Sequence, residues 1–273
     1  MDYQTYPPHP DLATILKCYW TLEVPQQQNT ERQLILPDGC VDMCFILGDD
    51  IKRYTSENKF IIQPRHMLLG QITEQFYIEP TGYVNTFAIR FYPYGFANFI
   101  NTPLSELCNK ETPLDDLFAK EEVGRLSQDV IQARTTRERI ETMERFLFGR
   151  LQEKSVIDNI VKSTIDAMFF SNGSKPLKTI LKNNLKKRRQ LERNFKKQIG
   201  LSPKQLSKVI RLQATLQLLL SETTETLTNI AYESDYYDQP HFIKDFKEFT
   251  GVTPKEFLSS DRMTLSSLLY RKG

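Results

Sequence analysis

The chain has 273 residues, more than one compact domain usually holds, so two domains are expected. Apolar residues make up 40% and charged residues 26%, which is typical of a globular protein and excludes disordered and collagen-like chains. The net charge of +2 does not by itself indicate a nucleic-acid partner. No run approaches the ~18 apolar residues of a membrane span, and the start lacks a secretory signal pattern. We therefore expect a cytoplasmic protein without membrane contacts, whose four cysteines are reduced.

Residues 10 to 92 are predicted to form mainly strands, because β-branched and aromatic residues cluster in short runs between turn sequences. The runs occupy residues 19–24, 34–36, 41–47 and 86–92. The turn sequences are Pro37-Asp38-Gly39, Gly48-Asp49-Asp50 and Pro80-Thr81-Gly82, whose backbone preferences suit tight reversals.

From Gly95 onward the apolar residues follow helical spacing, most clearly between Arg137 and Leu151. A second helix is predicted over 156–170, ended by Ser171-Asn172-Gly173. Strands followed by helices indicate an α+β fold, with a β-rich N-terminal domain followed by helices and then an all-α domain. We place the domains at residues 1–152 and 153–262, with a tail over 263–273.

Positive charge is concentrated between Lys175 and Arg211, where 13 basic residues accompany one acid, Glu192. Such a segment is a candidate phosphate-binding surface. A solvated, lysine-rich helix face is the alternative interpretation of the same charges.

The same segment begins an internal repeat at an offset of 51 residues. The first copy contains Leu191, Arg193, Phe195, Lys196, Gly200, Leu201, Ser202, Pro203 and Lys204. The matching residues of the second copy are Phe242, Lys244, Phe246, Lys247, Gly251, Val252, Thr253, Pro254 and Lys255. Each copy is predicted to form a helix, a short turn, a second helix and a stop.

The spacing within the first copy predicts a recognition helix. Leu191 and Phe195 are four residues apart and face inward, which leaves the Arg and Lys side chains outside, as suits a helix in the DNA major groove. Gly200 is predicted to take the left-handed C-cap conformation. Ser202 and Pro203 then form an N-cap and first turn of the next helix.

That next helix is predicted to run from Pro203 to about Leu220, a length of about 27 Å. This is comparable with the ~34 Å between successive major grooves on one face of a duplex. Two helix-turn-helix motifs joined by this helix would therefore read two adjacent grooves, although a helical bundle without DNA binding is an alternative.

These residues resemble the tandem helix-turn-helix domain of the AraC/XylS family of bacterial transcription regulators. The second copy carries the family pattern Ala231, Asp235-Tyr236, Asp238, Phe242, Lys244, Phe246-Lys247, Gly251, Thr253-Pro254 and Phe257. The resemblance implies seven helices and a sequence-specific DNA-binding regulator that is not an enzyme and needs no cofactor or metal. It also implies double-stranded DNA, RNA polymerase, a small-molecule effector and a second copy of the chain as partners.

Family base-contacting positions fall on Arg189, Glu192, Arg193, Gln239, His241 and Lys244. Arg and Gln suit guanine and adenine edges, and a Glu accepts from cytosine. Arg188, Lys196, Lys197 and Lys247 are the expected phosphate contacts. Asp235 stands where the family usually has Gly, and Lys244 replaces a usual Arg and so loses its bidentate geometry.

In the N-terminal half, the segments 19–23, 35–42 and 89–91 resemble an uncharacterised domain found on such regulators, which implies an effector-sensing or dimerisation role. Tyr19, Trp20, Arg90 and Tyr92 are candidate effector-binding residues for an anionic or aromatic molecule. An aromatic core is the alternative interpretation of the same residues.

Two other classes of protein stay open. A zinc-dependent protein that accepts methyl groups from damaged DNA also carries this kind of DNA-binding domain, and Cys40 and Cys44 resemble half of its four-cysteine site. However, Cys18 and Cys108 do not form a second close pair. The other class is a protein-interaction module.

Overall fold

The computed structural model describes residues 1–26, 32–151, 157–181, 185–220, 227–234, 236 and 238–258. The domain boundary predicted near residue 153, the turn residue Asp235 and the tail from residue 263 lie outside the described residues. In the described part of the chain, none of the helices has the length and apolar character needed to cross a bilayer.

The N-terminal half contains two antiparallel sheets. The first has the order β1-β2-β9-β4-β7-β10 and the second the order β3-β8-β5-β6. Their strands are β1 (Asp2–Tyr6), β2 (Leu16–Val24), β3 (Gln33–Ile35), β4 (Val41–Ile46), β5 (Ile51–Ser56), β6 (Lys59–Ile62), β7 (His66–Leu69), β8 (Phe76–Pro80), β9 (Val84–Phe91) and β10 (Glu111–Pro113).

The four predicted strand runs are confirmed as β2, β3, β4 and β9. Strand β4 is buried along its whole length because it lies between β9 and β7 with both faces covered. The expectation of helices from Gly95 onward is wrong for residues 95–116. That segment forms single 3-10 turns and the short strand β10, which pairs with β7.

Helices follow from residue 120. They are α1 (Lys120–Gln132), α2 (Thr136–Phe148), α3 (Asn159–Phe170), α4 (Leu177–Ile180), α5 (Leu185–Gln198), α6 (Pro203–Leu220), α7 (Leu227–Glu233), α8 (Gln239–Thr250) and α9 (Pro254–Leu258). Seven of those described, α3 to α9, lie in the C-terminal part, as the family resemblance implies. The α+β fold class is therefore confirmed, and helix α6 has the predicted bounds.

The two halves share one hydrophobic core. Its largest cluster extends from Leu12 in the β-rich half to Ile210 in α6. A second cluster joins Leu34 and Leu36, next to β3, to the apolar side chains of α6 and α8. The C-terminal helices therefore pack directly against the sheets.

Gly200 lies at one of these contacts. It follows α5 with φ +90°, the left-handed conformation predicted for this C-cap. Its carbonyl accepts a hydrogen bond from Cys108 Sγ at 3.3 Å. A Cβ atom at this position would lie 2.6 Å from Cys108 Sγ and 2.9 Å from the Leu104 carbonyl oxygen. Only glycine meets both the backbone and the space requirement here.

We predict that Gly200→Ala lowers the free energy of unfolding by about 1 to 3 kcal/mol, because the alanine adopts a strained backbone and collides with the N-terminal half. Gly124→Ala is the matched control. Gly124 is exposed in the middle of α1 with no atom within 4 Å of an added Cβ, so the change should stabilise the protein by about 0.5 to 1 kcal/mol. Urea unfolding of both variants measures the difference, and equal effects would contradict the close contact at Gly200.

Candidate nucleic-acid interface

Helix α5 has one buried and one cationic face. Leu191 and Phe195 are completely buried. The predicted contact residues on the other face are all exposed, namely Arg188, Arg189, Glu192, Arg193, Lys196 and Lys197. The apolar pair therefore anchors the helix, and five cationic side chains and one carboxylate face away from the core.

Asp158 holds α5 in place from α3. Its backbone N–H donates to Gln198 Oε1 at 3.1 Å, and its Oδ2 accepts from Asn194 Nδ2 at 2.7 Å and from Gln190 Nε2 at 3.3 Å. Its Oδ1 accepts from Ile160 N–H at 2.9 Å and so caps α3. One residue therefore joins the start of α3 to three side chains along α5, two of them through its carboxylate and one through its backbone N–H.

Helix α8 repeats the anchoring of α5. Phe242 and Phe246 are buried at the positions equivalent to Leu191 and Phe195. The predicted contact residues His241, Lys244 and Lys247 are exposed and Gln239 is half-buried. Asp238 caps the helix by accepting from His241 N–H at 2.8 Å. The two helices thus present equivalent outer faces, but the face of α8 carries fewer cations.

Two of the exposed side chains pair with acids on their own helix. Arg188 Nε lies 3.0 Å from Glu192 Oε1, and His241 Nε2 lies 3.9 Å from Asp245 Oδ2. The Arg188–Glu192 pair is exposed on both sides, and exposed pairs contribute at most about 1 kcal/mol. A phosphate can therefore replace Glu192 as the partner of Arg188 at low cost, whereas Asp245 is buried.

In both copies of the repeat, a capping box starts the helix that follows the recognition helix. Ser202 N–H donates to Gln205 Oε1 at 2.9 Å, and Gln205 N–H donates back to Ser202 Oγ at 3.2 Å. Thr253 and Glu256 make the equivalent pair of bonds at 2.7 and 3.3 Å. The Thr253 N–H and hydroxyl both donate to the Glu256 carboxylate and lower its pKa. Gly251, like Gly200, has a positive φ, +72°. The internal repeat is therefore a repeat of structure as well as of sequence.

Helix α6 connects to the second motif through Lys208. Its Nζ lies 2.9 Å from Glu248 Oε2 and 3.4 Å from Asp245 Oδ1, both on α8. Burial alone would lower the pKa of Lys208, but the two carboxylates raise it, so the ammonium group stays charged at neutral pH. Arg211 of α6 also lies over the Tyr236 ring, 5.2 Å from its centre.

Helix α6 also contacts Gly173, which follows the end of α3. Ser207 Oγ donates to the Gly173 carbonyl at 2.7 Å, and Arg211 NH2 donates to it at 3.0 Å. Gly173 has φ +74°, in agreement with the predicted stop after α3. Helix α6 is thus fixed to elements of both motifs.

The candidate effector residues do not form one site. Trp20 and Arg90 line a cavity of about 120 Å³ between the two sheets, called here the sheet cavity. Tyr92 lines a second cleft, between the β-rich half and α6, which Arg90 also lines. Tyr19 is completely buried and stacks against Phe87 in the main core, because successive side chains of β2 point to opposite faces. The placement of Tyr19 at an effector site is therefore wrong.

Arg90 is a buried ion-pair partner. Its Nε and NH2 atoms each lie 3.0 Å from an oxygen of Asp42, and NH2 lies 2.9 Å from Asp38 Oδ2. Trp20 Nε1 donates to Asp42 Oδ1 at 3.0 Å. Burial alone would lower the pKa of Arg90, but the two carboxylates raise it well above its usual value.

The cysteines are buried or half-buried free thiols. Burial raises the pKa of Cys40 to about 12 and that of Cys44 well above its ordinary value, so neither is a thiolate at neutral pH. Within the ranges that the structure describes, no three His, Cys, Asp or Glu side chains are grouped as metal ligands. His66 is half-buried, with Nε2 3.1 Å from Asp115 Oδ2.

Several positioning residues were not predicted from the sequence, among them Asp38, Asp42, Asp158 and Lys208. Asp42 carried a usable signal, since an acidic residue inside the buried strand β4 requires a partner. Asp158 also precedes a predicted helix as an N-cap residue would. Arg90 lies 48 residues from Asp42 and Asn194 lies 36 residues from Asp158, so spacing alone does not identify these partners.

We predict that Asp158→Ala lowers the free energy of unfolding by about 1 to 2 kcal/mol, because α3 loses its cap and α5 loses a shared acceptor. Asp166→Ala on the same helix is the control. It removes only an exposed pair with Lys162 and should cost less than about 0.5 kcal/mol. Thermal and urea unfolding compare the two variants, and an Asp158 variant as stable as the control would show that the cap is dispensable.

Known proteins match both parts of this chain. Residues 186–260 match the model of a family described as "Helix-turn-helix domain". Residues 4–113 match "Domain of unknown function (DUF6597)". The transcriptional regulator ArgR of Pseudomonas aeruginosa is 36% identical over 69 residues, 25% of this chain and 21% of that protein. The regulator MtrA of Neisseria gonorrhoeae is 39% identical over 70 residues, 26% of this chain and 23% of that protein. The chain thus matches about a fifth of the length of these relatives.

Solved structures with a related arrangement include ToxT from Vibrio cholerae, with TM-score 0.49 and 15% identity over 97% of this chain and 100% of that one. An AraC-type regulator from Chromobacterium violaceum has TM-score 0.33 and 23% identity over 39% of this chain and 94% of that one. The recognition made from the sequence is confirmed at the level of the domains. Residues 186–260 match a helix-turn-helix domain family, and residues 4–113 match a family of domains of unknown function.

Proposed function

We propose that this protein is a sequence-specific transcription regulator, not an enzyme, that binds two adjacent major grooves of duplex DNA with α5 and α8. One observation carries the proposal. Two copies of the same motif each anchor a helix by two buried apolar side chains and leave its cationic face exposed. The match of this segment to the helix-turn-helix family supports the same function.

The side chains divide into two roles. Arg189, Glu192 and Arg193 on α5 and Gln239, His241 and Lys244 on α8 are proposed to contact base edges, where donor and acceptor patterns differ between base pairs. Arg188, Lys196, Lys197 and Lys247 are proposed to contact phosphates, which sets the register of the protein on the duplex.

The first motif is proposed to supply most of the affinity. Residues 175–211 carry 13 basic side chains and one acid, whereas residues 212–273 carry 6 basic and 9 acidic side chains. Each neutralised phosphate releases counterions and adds to the affinity at low salt. The second motif then contributes mainly to the choice of sequence.

Partners and location follow from the same assignment. We propose that the DNA-binding domain spans residues 153–262 and that the β-rich half, residues 1–152, senses a small-molecule effector or a second copy of the chain. RNA polymerase at the regulated promoter is the expected protein partner. The cytoplasm, where bacterial DNA lies, is the expected location.

We predict different losses for two neighbouring variants of α5. Arg193→Ala should weaken binding to a selected duplex by about 1 to 3 kcal/mol and relax one base preference. Lys196→Ala should weaken binding to all sequences alike and reduce the salt slope by about 1. Fluorescence anisotropy at several salt concentrations, on a duplex selected by the protein from a random pool and on a scrambled duplex, measures both effects.

Lys120→Ala serves as the charge-matched control, because Lys120 is exposed at the start of α1 in the β-rich half. It should leave both affinities unchanged. Equal losses for Arg193→Ala on the selected and scrambled duplexes would remove Arg193 from the base-reading set. Selection that enriches no sequence would overturn the proposed function itself.

A further inference from the structure

The sheet cavity has the size and walls of a site for a small apolar ligand. Its volume is about 120 Å³, and most of its lining is apolar, including Leu22, Ile46, Met67, Phe76 and Ile78. An engineered apolar cavity of about 150 Å³ in another protein binds benzene. The sheet cavity therefore suits a molecule of about one ring or a short aliphatic chain.

One end of the cavity is charged. Its lining contains one cationic group, the guanidinium of Arg90, and two anionic groups, the carboxylates of Asp38 and Asp42. The arginine is already paired with both acids at 2.9 and 3.0 Å. The charge at this end is therefore −1, which repels an anion and attracts a cation at low local dielectric. Asp38 and Arg90 also line the cleft against α6, and the exposed Lys17 lines that cleft but not the cavity.

Aromatic rings lie beside this charged end. Tyr3 and Trp20 both line the cavity, with ring centres 6.1 Å apart and planes tilted by 46°. Aromatic faces attract ammonium groups, and a desolvated contact of this kind strengthens binding. The rings and the carboxylates thus both favour a positively charged ligand. Of the anionic or aromatic molecule expected from the sequence, this end of the cavity disfavours the anion.

The charged end is also directly connected to helix α6. Asp38 lies in the 37–39 loop, defined as Pro37 to Gly39 between β3 and β4. The Pro37 carbonyl accepts from Gln213 Nε2 of α6 at 2.6 Å. Gly39 approaches α6 so closely that an added Cβ would lie 3.2 Å from Leu206 Cδ1 and 3.5 Å from Val209 Cγ1. The residues before and after Asp38 therefore both contact α6, so a movement of Asp38 is transmitted to this helix.

We propose that the sheet cavity binds a small, mainly apolar molecule with one protonated amine, held against Asp38 and Asp42, and that its binding moves the 37–39 loop on α6. The amine competes with Arg90 for Asp38, and the loop follows this side chain. Because α6 joins the two motifs, the movement changes the placement of α5 relative to α8. This last step rests on the proposed DNA-binding function, whereas ligand binding does not.

Three probes of the same ring size test the ligand class on the full chain. Benzylamine, benzyl alcohol and benzoate are titrated at neutral pH by isothermal calorimetry. Benzylamine should bind at least about tenfold more tightly than the other two, because only its positive charge balances the negative charge at the end of the cavity. Binding of benzoate or benzyl alcohol as tight as that of benzylamine, or no binding of any probe, would overturn the proposal.

Asp38→Asn tests the contact directly. It keeps the acceptor for the Cys40 N–H but removes the charge, so benzylamine affinity should fall by about tenfold or more. Asp129→Asn, an equal charge change on the exposed face of α1, should leave the affinity unchanged. Melting temperatures report whether each variant is folded, and the probe series on the unaltered chain decides the ligand class if Asp38→Asn does not fold. A folded Asp38→Asn variant that binds benzylamine normally would overturn the contact.

Two glutamines of α6 provide a variant and its matched control for testing whether ligand binding affects DNA binding. Saturating benzylamine should change the affinity of the unaltered chain for its selected duplex by about fivefold or more. The change should vanish in Gln213→Ala, which still binds benzylamine, and persist in Gln217→Ala, an exposed glutamine one turn further along α6. Normal DNA binding without any effect of bound benzylamine would overturn the coupling. A chain that binds benzylamine and no DNA would instead overturn the proposed function alone.

Discussion

The shared helix α6 is the constraint on which the rest of the structure depends. Leu206 and Ile210, four residues apart, pack into the core of the β-rich half. Val209, Leu212 and Leu216 lie on an adjacent stripe and pack into the core of the second motif. Because one rigid helix of 18 residues provides both stripes, the placement of each motif is tied to that of the other and to the sheets.

The cationic side chains of the two recognition helices are exposed, whereas the charges around Arg90 in the β-rich half are buried. On α5 and α8 the cationic side chains are exposed and weakly paired, so a phosphate can engage them at little cost. Around Arg90 the charges are buried and joined by short hydrogen bonds. A buried group of this kind is costly to leave unpaired, and a change in its charge balance therefore has a structural effect.

The features that could be predicted from the sequence were local ones. Helix α6, the glycine after α5, the Ser202 cap and the inward faces of Leu191 and Phe195 all follow from side-chain spacing and backbone preference within a few residues. The family pattern then identified the second motif. Its turn residue Asp235 lies outside the described residues.

The features that could not be predicted depend on contacts between distant residues. Asp42 and Arg90 meet only because β4 and β9 pair in one register, and Tyr19 is separated from Trp20 by the alternation of β2. The contact of Gly200 with Cys108 joins residues 92 apart. No local pattern in one sequence contains this information, so the sheet cavity and its link to α6 required the structure.

The central claim is that α6 fixes two recognition helices for simultaneous binding. Hydroxyl-radical footprinting of the full chain on its selected duplex tests this most directly. The account predicts two protected tracts on the same face of the duplex, centred about one helical turn, roughly 10 base pairs, apart. A single protected tract of one motif's width would contradict it.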